Sequence, residues 1–74
     1  MSLERSRDFA RLCTELVRNG NDFPIVWNTV LKGSALVDGI PQQRLDGNRS
    51  LLEIRLFTGE RLVFDGDAKH FSIK

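Results

Sequence analysis

The spacing of the apolar residues changes once along the chain, near Ser34, and this change limits the possible folds. Before Ser34 the apolar residues recur every three or four positions, which places them on one face of a helix. After it they alternate with polar residues, as in a strand with one buried face. We therefore predict an α+β protein, with an N-terminal pair of short helices packed on one face of a small antiparallel β-meander of three to four strands.

Two helices are predicted before Ser34, at about residues 3–18 and 24–32. The apolar stripe of the first helix consists of Phe9, Leu12, Cys13, Leu16 and Val17. Asn19-Gly20 follows it as a stop signal, and Pro24 and Gly33 mark the start and end of the second helix. The β-branched residues Ile25, Val26, Thr29 and Val30 favour a strand instead, so a short strand is the alternative for this segment.

Strands are predicted at about residues 40–44, 50–57, 61–65 and 69–73. Between the second and third strands we expect a three-residue loop, Thr58 to Glu60, because an odd loop keeps the apolar side chains on one face. This register pairs Leu56 with Leu62 and Ile54 with Phe64, and on the other face it pairs Phe57 with Arg61 and Arg55 with Val63. Pro41 has no N–H to donate, so the first strand is expected at an edge of the sheet.

The 74 residues are expected to form a single domain, 1–74, close to the lower size limit for a stable core. A second copy of the chain is the simplest source of additional buried surface, so we expect self-association. The net charge is only +1 and the charges are balanced along the chain, which argues against a dedicated duplex binder. No apolar run approaches a membrane span or a signal peptide, so a cytoplasmic location is expected.

Cys13 and His70 are the only residues of their kinds, which excludes an internal disulfide and a metal cluster of Cys and His. Cys13 lies on the apolar stripe and is predicted to be buried, whereas His70 alternates with Phe71 and is predicted to face solvent. Asp65-Gly66-Asp67 is interpreted as a turn, because the bidentate Glu of a calcium loop does not follow it. No metal, cofactor, small-molecule substrate or catalytic residue is predicted. An enzyme, our third hypothesis, would need a pocket around His70 or Cys13.

The outer face of the β-hairpin is the first surface on which we expect an interaction. The candidate interface consists of Leu51, Arg55, Phe57, Arg61 and Val63. A sheet face that only contacts water does not need three apolar residues, so their presence favours an interface. Scattered exposed apolar residues are nevertheless common on monomers. The edge strand at residues 40–44 is the second surface considered for self-association.

The predicted function is that of a small, non-catalytic protein-interaction or regulatory module that self-associates or binds another protein. The alternative is a nucleic-acid-binding module that uses the outer face of the hairpin. In that case Phe57 would stack on a base, and Arg55, Arg61 and Lys69 would contact phosphates. Acidic residues interleave with these arginines and oppose the alternative.

Overall fold

The computed structural model describes the backbone of residues 2–74 and the side chains of residues 5–74. It contains helix α1 (Ser2–Arg18), helix α2 (Phe23–Val26) with a π-helical turn directly after it (Trp27–Leu31), and strands β1 (Gln42–Asp46), β2 (Arg49–Arg55), β3 (Arg61–Asp65) and β4 (His70–Ile73). The four strands form one antiparallel sheet in the order β1-β2-β3-β4, with the helices packed on one face. The predicted α+β fold is confirmed.

Helix α1 follows its sequence pattern closely and ends where Asn19-Gly20 predicts. The Gly20 N–H donates to the Val17 carbonyl, and the Asn21 N–H donates to the Leu16 carbonyl, both at 3.1 Å. This pair of bonds is the Schellman motif, which satisfies carbonyl groups at a helix end. The buried stripe of α1 includes Cys13 and Val17 and faces the sheet.

The second predicted helix forms, but only its first four residues are α-helical. The Lys32 N–H bonds the Trp27 carbonyl at 2.8 Å, five residues back, which is the π-helical pattern. The Thr29 hydroxyl donates to the Ile25 carbonyl at 2.7 Å and so competes with the backbone for that acceptor. The alternative of a short strand in this segment is therefore wrong.

Three phenylalanines join the helical layer to the sheet. The ring of Phe23 stacks on that of Phe64 with centroids 5.1 Å apart and lies 6.1 Å from that of Phe71. The Phe64 and Phe71 centroids are 4.7 Å apart on adjacent strands. These spacings are those of favourable aromatic pairs, and the cluster fixes α2 over β3 and β4.

The loop between β2 and β3 has the predicted length but begins one residue earlier. The Leu56 N–H bonds the Glu60 carbonyl and the Gly59 N–H bonds the Leu56 carbonyl, both at 3.0 Å, so the loop is Phe57 to Gly59. Its third position needs a positive φ, which Gly59 adopts at 92° without strain. The glycine therefore sets the register.

The predicted residue pairs across this hairpin are wrong by a shift of two positions. Ile54 pairs with Leu62 and Leu52 with Phe64, not Leu56 with Leu62 and Ile54 with Phe64. On the other face, Arg55 lies opposite Arg61 and Glu53 opposite Val63, so the expected Phe57–Arg61 and Arg55–Val63 pairs do not form. A shift of two leaves every side chain on its predicted face, because strand side chains repeat every two residues.

The first strand lies two residues further along the chain than predicted, at Gln42–Asp46 instead of 40–44. Asp46 pairs with Arg49, so the β1–β2 turn contains only Gly47 and Asn48. Gly47 has a φ of 64°, as a tight hairpin turn requires at this position. Pro41 precedes the strand rather than lying within it, and β1 is an edge of the sheet as expected.

Candidate functional site

The outer face of the sheet has no helix packed on it within the described residues, yet two of its apolar residues are buried. Leu51 is 8% exposed and Val63 is 4% exposed. Arg44 Nη1 lies 2.8 Å from Glu53 Oε2, and Arg49 Nη1 lies 2.6 Å from Asp65 Oδ2. Long charged side chains can cover apolar surface in this way while their charged ends remain in water. Of the three apolar residues expected outside, only Phe57, at 68%, is strongly exposed.

Three basic residues form a row across one end of the outer face. Arg55 lies opposite Arg61, and Arg61 pairs with Lys74 through two backbone hydrogen bonds of 3.0 and 2.9 Å. Glu53 is the nearby counter-charge, with its Oε1 atom 4.0 Å from Arg61 Nη1. Like charges directly opposite one another on a sheet are unfavourable. This basic row is thus a feature that stability does not explain.

The basic row adjoins a shallow hollow of about 420 Å³. Its lining includes the cations Arg44, Arg55 and Arg61 and the carboxylates Asp38 and Glu53. The mixture leaves a net positive charge of one, so the hollow is only weakly suited to an anion.

Lys69 does not join the other residues of the predicted nucleic-acid surface. It lies in the turn before β4, next to His70, which pairs with Asp65 at the far end of β3 from Arg61. Phe57, in contrast, lies in the loop that connects Arg55 to Arg61 along the chain. The structure therefore places Phe57, Arg55 and Arg61 at one end of the sheet and Lys69 at the other.

The two residues considered for catalysis lie in different environments. Cys13 is completely buried in the core, and this burial raises the pKa of its thiol to about 11. A buried protonated thiol is a poor nucleophile. His70 is exposed on the outer face, as predicted, so the sheet separates it from Cys13.

Asp65 organises the turn between β3 and β4, as its sequence predicted. Its Oδ1 atom accepts the N–H groups of Asp67 at 3.0 Å and Ala68 at 3.3 Å. Partial burial acts to raise the pKa of Asp65, but these two N–H groups and the Arg49 guanidinium outweigh it. The pKa of this carboxyl therefore lies below its ordinary value of 3.8. Within the described residues, no three His, Cys, Asp or Glu side chains are grouped to hold a metal ion.

The β4 edge of the sheet is covered by helix α1. The Thr14 hydroxyl accepts a 2.9 Å hydrogen bond from the Phe71 N–H and donates one of 2.9 Å to the Ala10 carbonyl. The Phe71 carbonyl oxygen lies 3.4 Å from the same hydroxyl. A side chain of the protein itself thus occupies the position that a further strand would take.

The β1 edge has no comparable cover among the described residues. All five residues of β1 are exposed, and Leu45 is 73% exposed. Backbone groups of successive strand residues point to opposite sides. Asp46 lies next to the two-residue turn and bonds β2, so the N–H and C=O groups of Gln43 and Leu45 point away from the sheet. Such an edge is a ready template for another strand.

The edge strand lies at Gln42–Asp46, two residues after the position predicted from the sequence. Gly47-Asn48 is a two-residue hairpin signal, and it would have placed β1 at Gln42–Asp46 and shown Leu45 to be in the strand. The hydrogen bond from the Phe71 N–H to the Thr14 hydroxyl could not be predicted from local sequence patterns, because the two residues are 57 positions apart.

Comparison with known proteins identifies no similar one: no family model, no curated protein and no solved structure matches the chain. None of the helices in the described part of the chain is both long and apolar enough to cross a membrane.

Proposed function

We propose that this chain is a non-catalytic interaction module that self-associates through its β1 edge. The single observation that carries the proposal is the difference between the two edges of the sheet. Thr14 caps the β4 edge, whereas Gln43 and Leu45 present free backbone groups at the β1 edge. A cytoplasmic location and a regulatory role remain predictions from the sequence.

The side chains around β1 also favour this edge over the outer face. Leu45 is strongly exposed, and Leu52, two strand positions from Ile54 on the same inner face, is only half-buried. Apolar surface next to free backbone groups supports strand addition, in which main-chain bonds provide affinity and side-chain contacts provide specificity. On the outer face, by contrast, Leu51 and Val63 are already buried by residues of the same chain.

Solution mass measured by light-scattering chromatography tests the proposal. We expect a dimer whose population rises with protein concentration, and we expect Leu45→Lys to shift the protein to the monomer because a lysine opposes strand pairing at an edge. Leu12→Lys is the matched control, since Leu12 is an exposed leucine on α1 and the charge change is the same. A monomer at high micromolar concentration, or equal loss in both variants, would contradict the proposal.

The basic row favours a second candidate function, the binding of single-stranded nucleic acid. Arg55, Arg61 and Lys74 lie side by side, and Phe57 beside them is exposed and available for stacking on a base. The nearby Glu53 opposes this function, which is why it ranks second.

Fluorescence anisotropy with a labelled oligonucleotide, at two salt concentrations, tests this second candidate. Phe57→Ala and Arg55→Gln should each weaken binding, and binding to the unmodified protein should fall steeply with salt. Lys69→Gln is the control, because it removes a positive charge at the other end of the sheet. The candidate is excluded if the unmodified protein shows no salt-dependent binding.

A further inference from the structure

We infer that β1 pairs antiparallel with β1 of a second copy about a two-fold axis at Leu45, so that Arg44 of each copy lies opposite Asp46 of the other. This inference rests on the proposed function and deepens it, since it names both the partner and the register. The assembly would be a continuous eight-stranded sheet with β1 of each copy at its centre.

The backbone limits how two β1 strands can pair. Gln43 and Leu45 carry the outward-pointing groups, so only registers that pair these residues with one another, or with other odd-numbered residues, form hydrogen bonds. Within the strand this leaves a two-fold axis at residue 43, 44 or 45. In each of these three registers, the inner faces of the two copies lie on the same side of the joined sheet.

An axis at Gln43 is disfavoured by the proline. That register places Leu45 opposite Pro41 in a hydrogen-bonded pair, and proline has no N–H to donate. The two outermost bonds of the ladder would therefore be lost.

An axis at Arg44 is disfavoured by charge. It places Arg44 directly opposite Arg44 of the second copy, with Asp46 opposite the uncharged Gln42. Like charges directly opposite each other on a sheet are destabilising, and this register gives Asp46 no compensating partner.

An axis at Leu45 avoids both the proline and the like-charge pair. Its backbone hydrogen bonds come from the central Leu45–Leu45 pair, because the next outward-facing pair places Gln43 opposite Gly47, which is in the turn. Arg44 faces Asp46 of the second copy twice, once on each side of the axis, so two pairs of opposite charge form on the outer face. On the inner face Leu45 meets Leu45 of the second copy, which covers the most exposed leucine of the described chain. In the single chain Arg44 Nη1 lies 2.8 Å from Glu53 Oε2 on β2, so in the dimer Arg44 would lie between Glu53 of its own chain and Asp46 of the second copy.

Charge exchange at the two positions tests the register. Arg44→Asp and Asp46→Arg should each weaken the dimer, on the order of tenfold to a hundredfold in Kd, because two attractive pairs become repulsive. The double variant R44D/D46R should dimerise like the unmodified protein, and so should an equimolar mixture of the two single variants. Sedimentation equilibrium measures all four affinities.

The outcomes separate the register from the proposed function. If Leu45→Lys disrupts the dimer but the double variant does not recover, the β1 edge is retained and the register is wrong. In particular, an axis at Arg44 predicts that Asp46→Arg is harmless, since residue 46 would then face the uncharged Gln42 of the second copy. If the unmodified protein is a monomer, the proposed function itself is overturned.

Disulfide cross-linking gives an independent test. At the inferred axis the Cα atoms of residue 45 in the two copies are about 5.5 Å apart, a separation that a disulfide spans. Leu45→Cys should form a covalent dimer under mild oxidation, while the buried Cys13 remains unreacted. Leu12→Cys is the control: it also adds one thiol, at an exposed position on α1, and should not cross-link at the same protein concentration. Equal cross-linking of the two variants would overturn the inference.

Discussion

The Thr14 hydroxyl accepts a 2.9 Å hydrogen bond from the backbone N–H of Phe71, and this bond joins the middle of α1 to the outer edge of β4. Both residues are buried, so the N–H has no access to water. One hydroxyl thus satisfies a backbone donor that an edge strand would otherwise leave unpaired. The same contact leaves β1 as the edge that can accept another strand.

Thr14→Val should destabilise the protein by about 1–3 kcal/mol, because the isosteric valine leaves the buried Phe71 N–H without an acceptor. Thr29→Val is the control: it also removes a helical threonine hydroxyl, but one that is exposed and bonds only the Ile25 carbonyl. Its effect should stay within about 0.5 kcal/mol. Urea unfolding of both variants measures the change in the free energy of unfolding, and equal changes would show that the Thr14–Phe71 hydrogen bond contributes nothing to stability.

Gly59→Ala should destabilise the protein by about 1 kcal/mol, because Gly59 adopts a φ of 92° that residues with a Cβ atom rarely accept. Space is not the cause, since a Cβ atom at Gly59 would meet no atom within 4 Å. Gly33→Ala is equally open and has no such φ, so it should be neutral or slightly stabilising. Thermal unfolding distinguishes the two, and a neutral Gly59→Ala would contradict the assigned loop.

Asp65 should make the folded protein less stable in acid. The pKa of Asp65 is lower in the folded protein than in the unfolded chain, so its ionised form stabilises the fold. This contribution is complete above the ordinary value of 3.8 and is lost as the pH falls through the lower, folded pKa.

Urea unfolding of Asp65→Asn between pH 2 and pH 7 checks this effect. The variant should lose stability at neutral pH and show a shallower decline below about pH 4 than the unmodified protein. Asp67→Asn should keep the original pH profile, because Asp67 contributes its N–H rather than its carboxylate to the turn. An unchanged profile in Asp65→Asn would exclude the assigned role.

Cys13 should resist thiol reagents in the native protein and react fully after denaturation. Its side chain is completely buried, and burial raises the pKa of the thiol to about 11, so the reactive thiolate is scarce at pH 8. Time-resolved labelling with a chromogenic disulfide reagent measures the two rates. Fast labelling under native conditions would show that the core around α1 opens readily.

Much of the fold was predictable because local patterns reflect which side is buried. The 3.6-residue period of α1 and the two-residue alternation of β3 placed both elements within a residue of their observed bounds. The inner and outer faces of the sheet were also correct. The β2–β3 register was wrong because alternation does not distinguish shifts of two residues, and the φ of Gly59 decided it.

The candidate site depended more on long-range contacts. Alternation correctly placed Leu51 and Val63 on the outer face, but it did not predict that they are buried there, on the same face as ion pairs between different strands such as Arg44 with Glu53. The sequence by itself determined helix α1, the faces of the β2, β3 and β4 side chains and an edge strand near residue 42, but it left residues 24–32 open between helix and strand. Only the tertiary structure decided which edge stays open, because a hydrogen bond between residues 57 positions apart, Thr14 and Phe71, exists only once α1 has packed against β4.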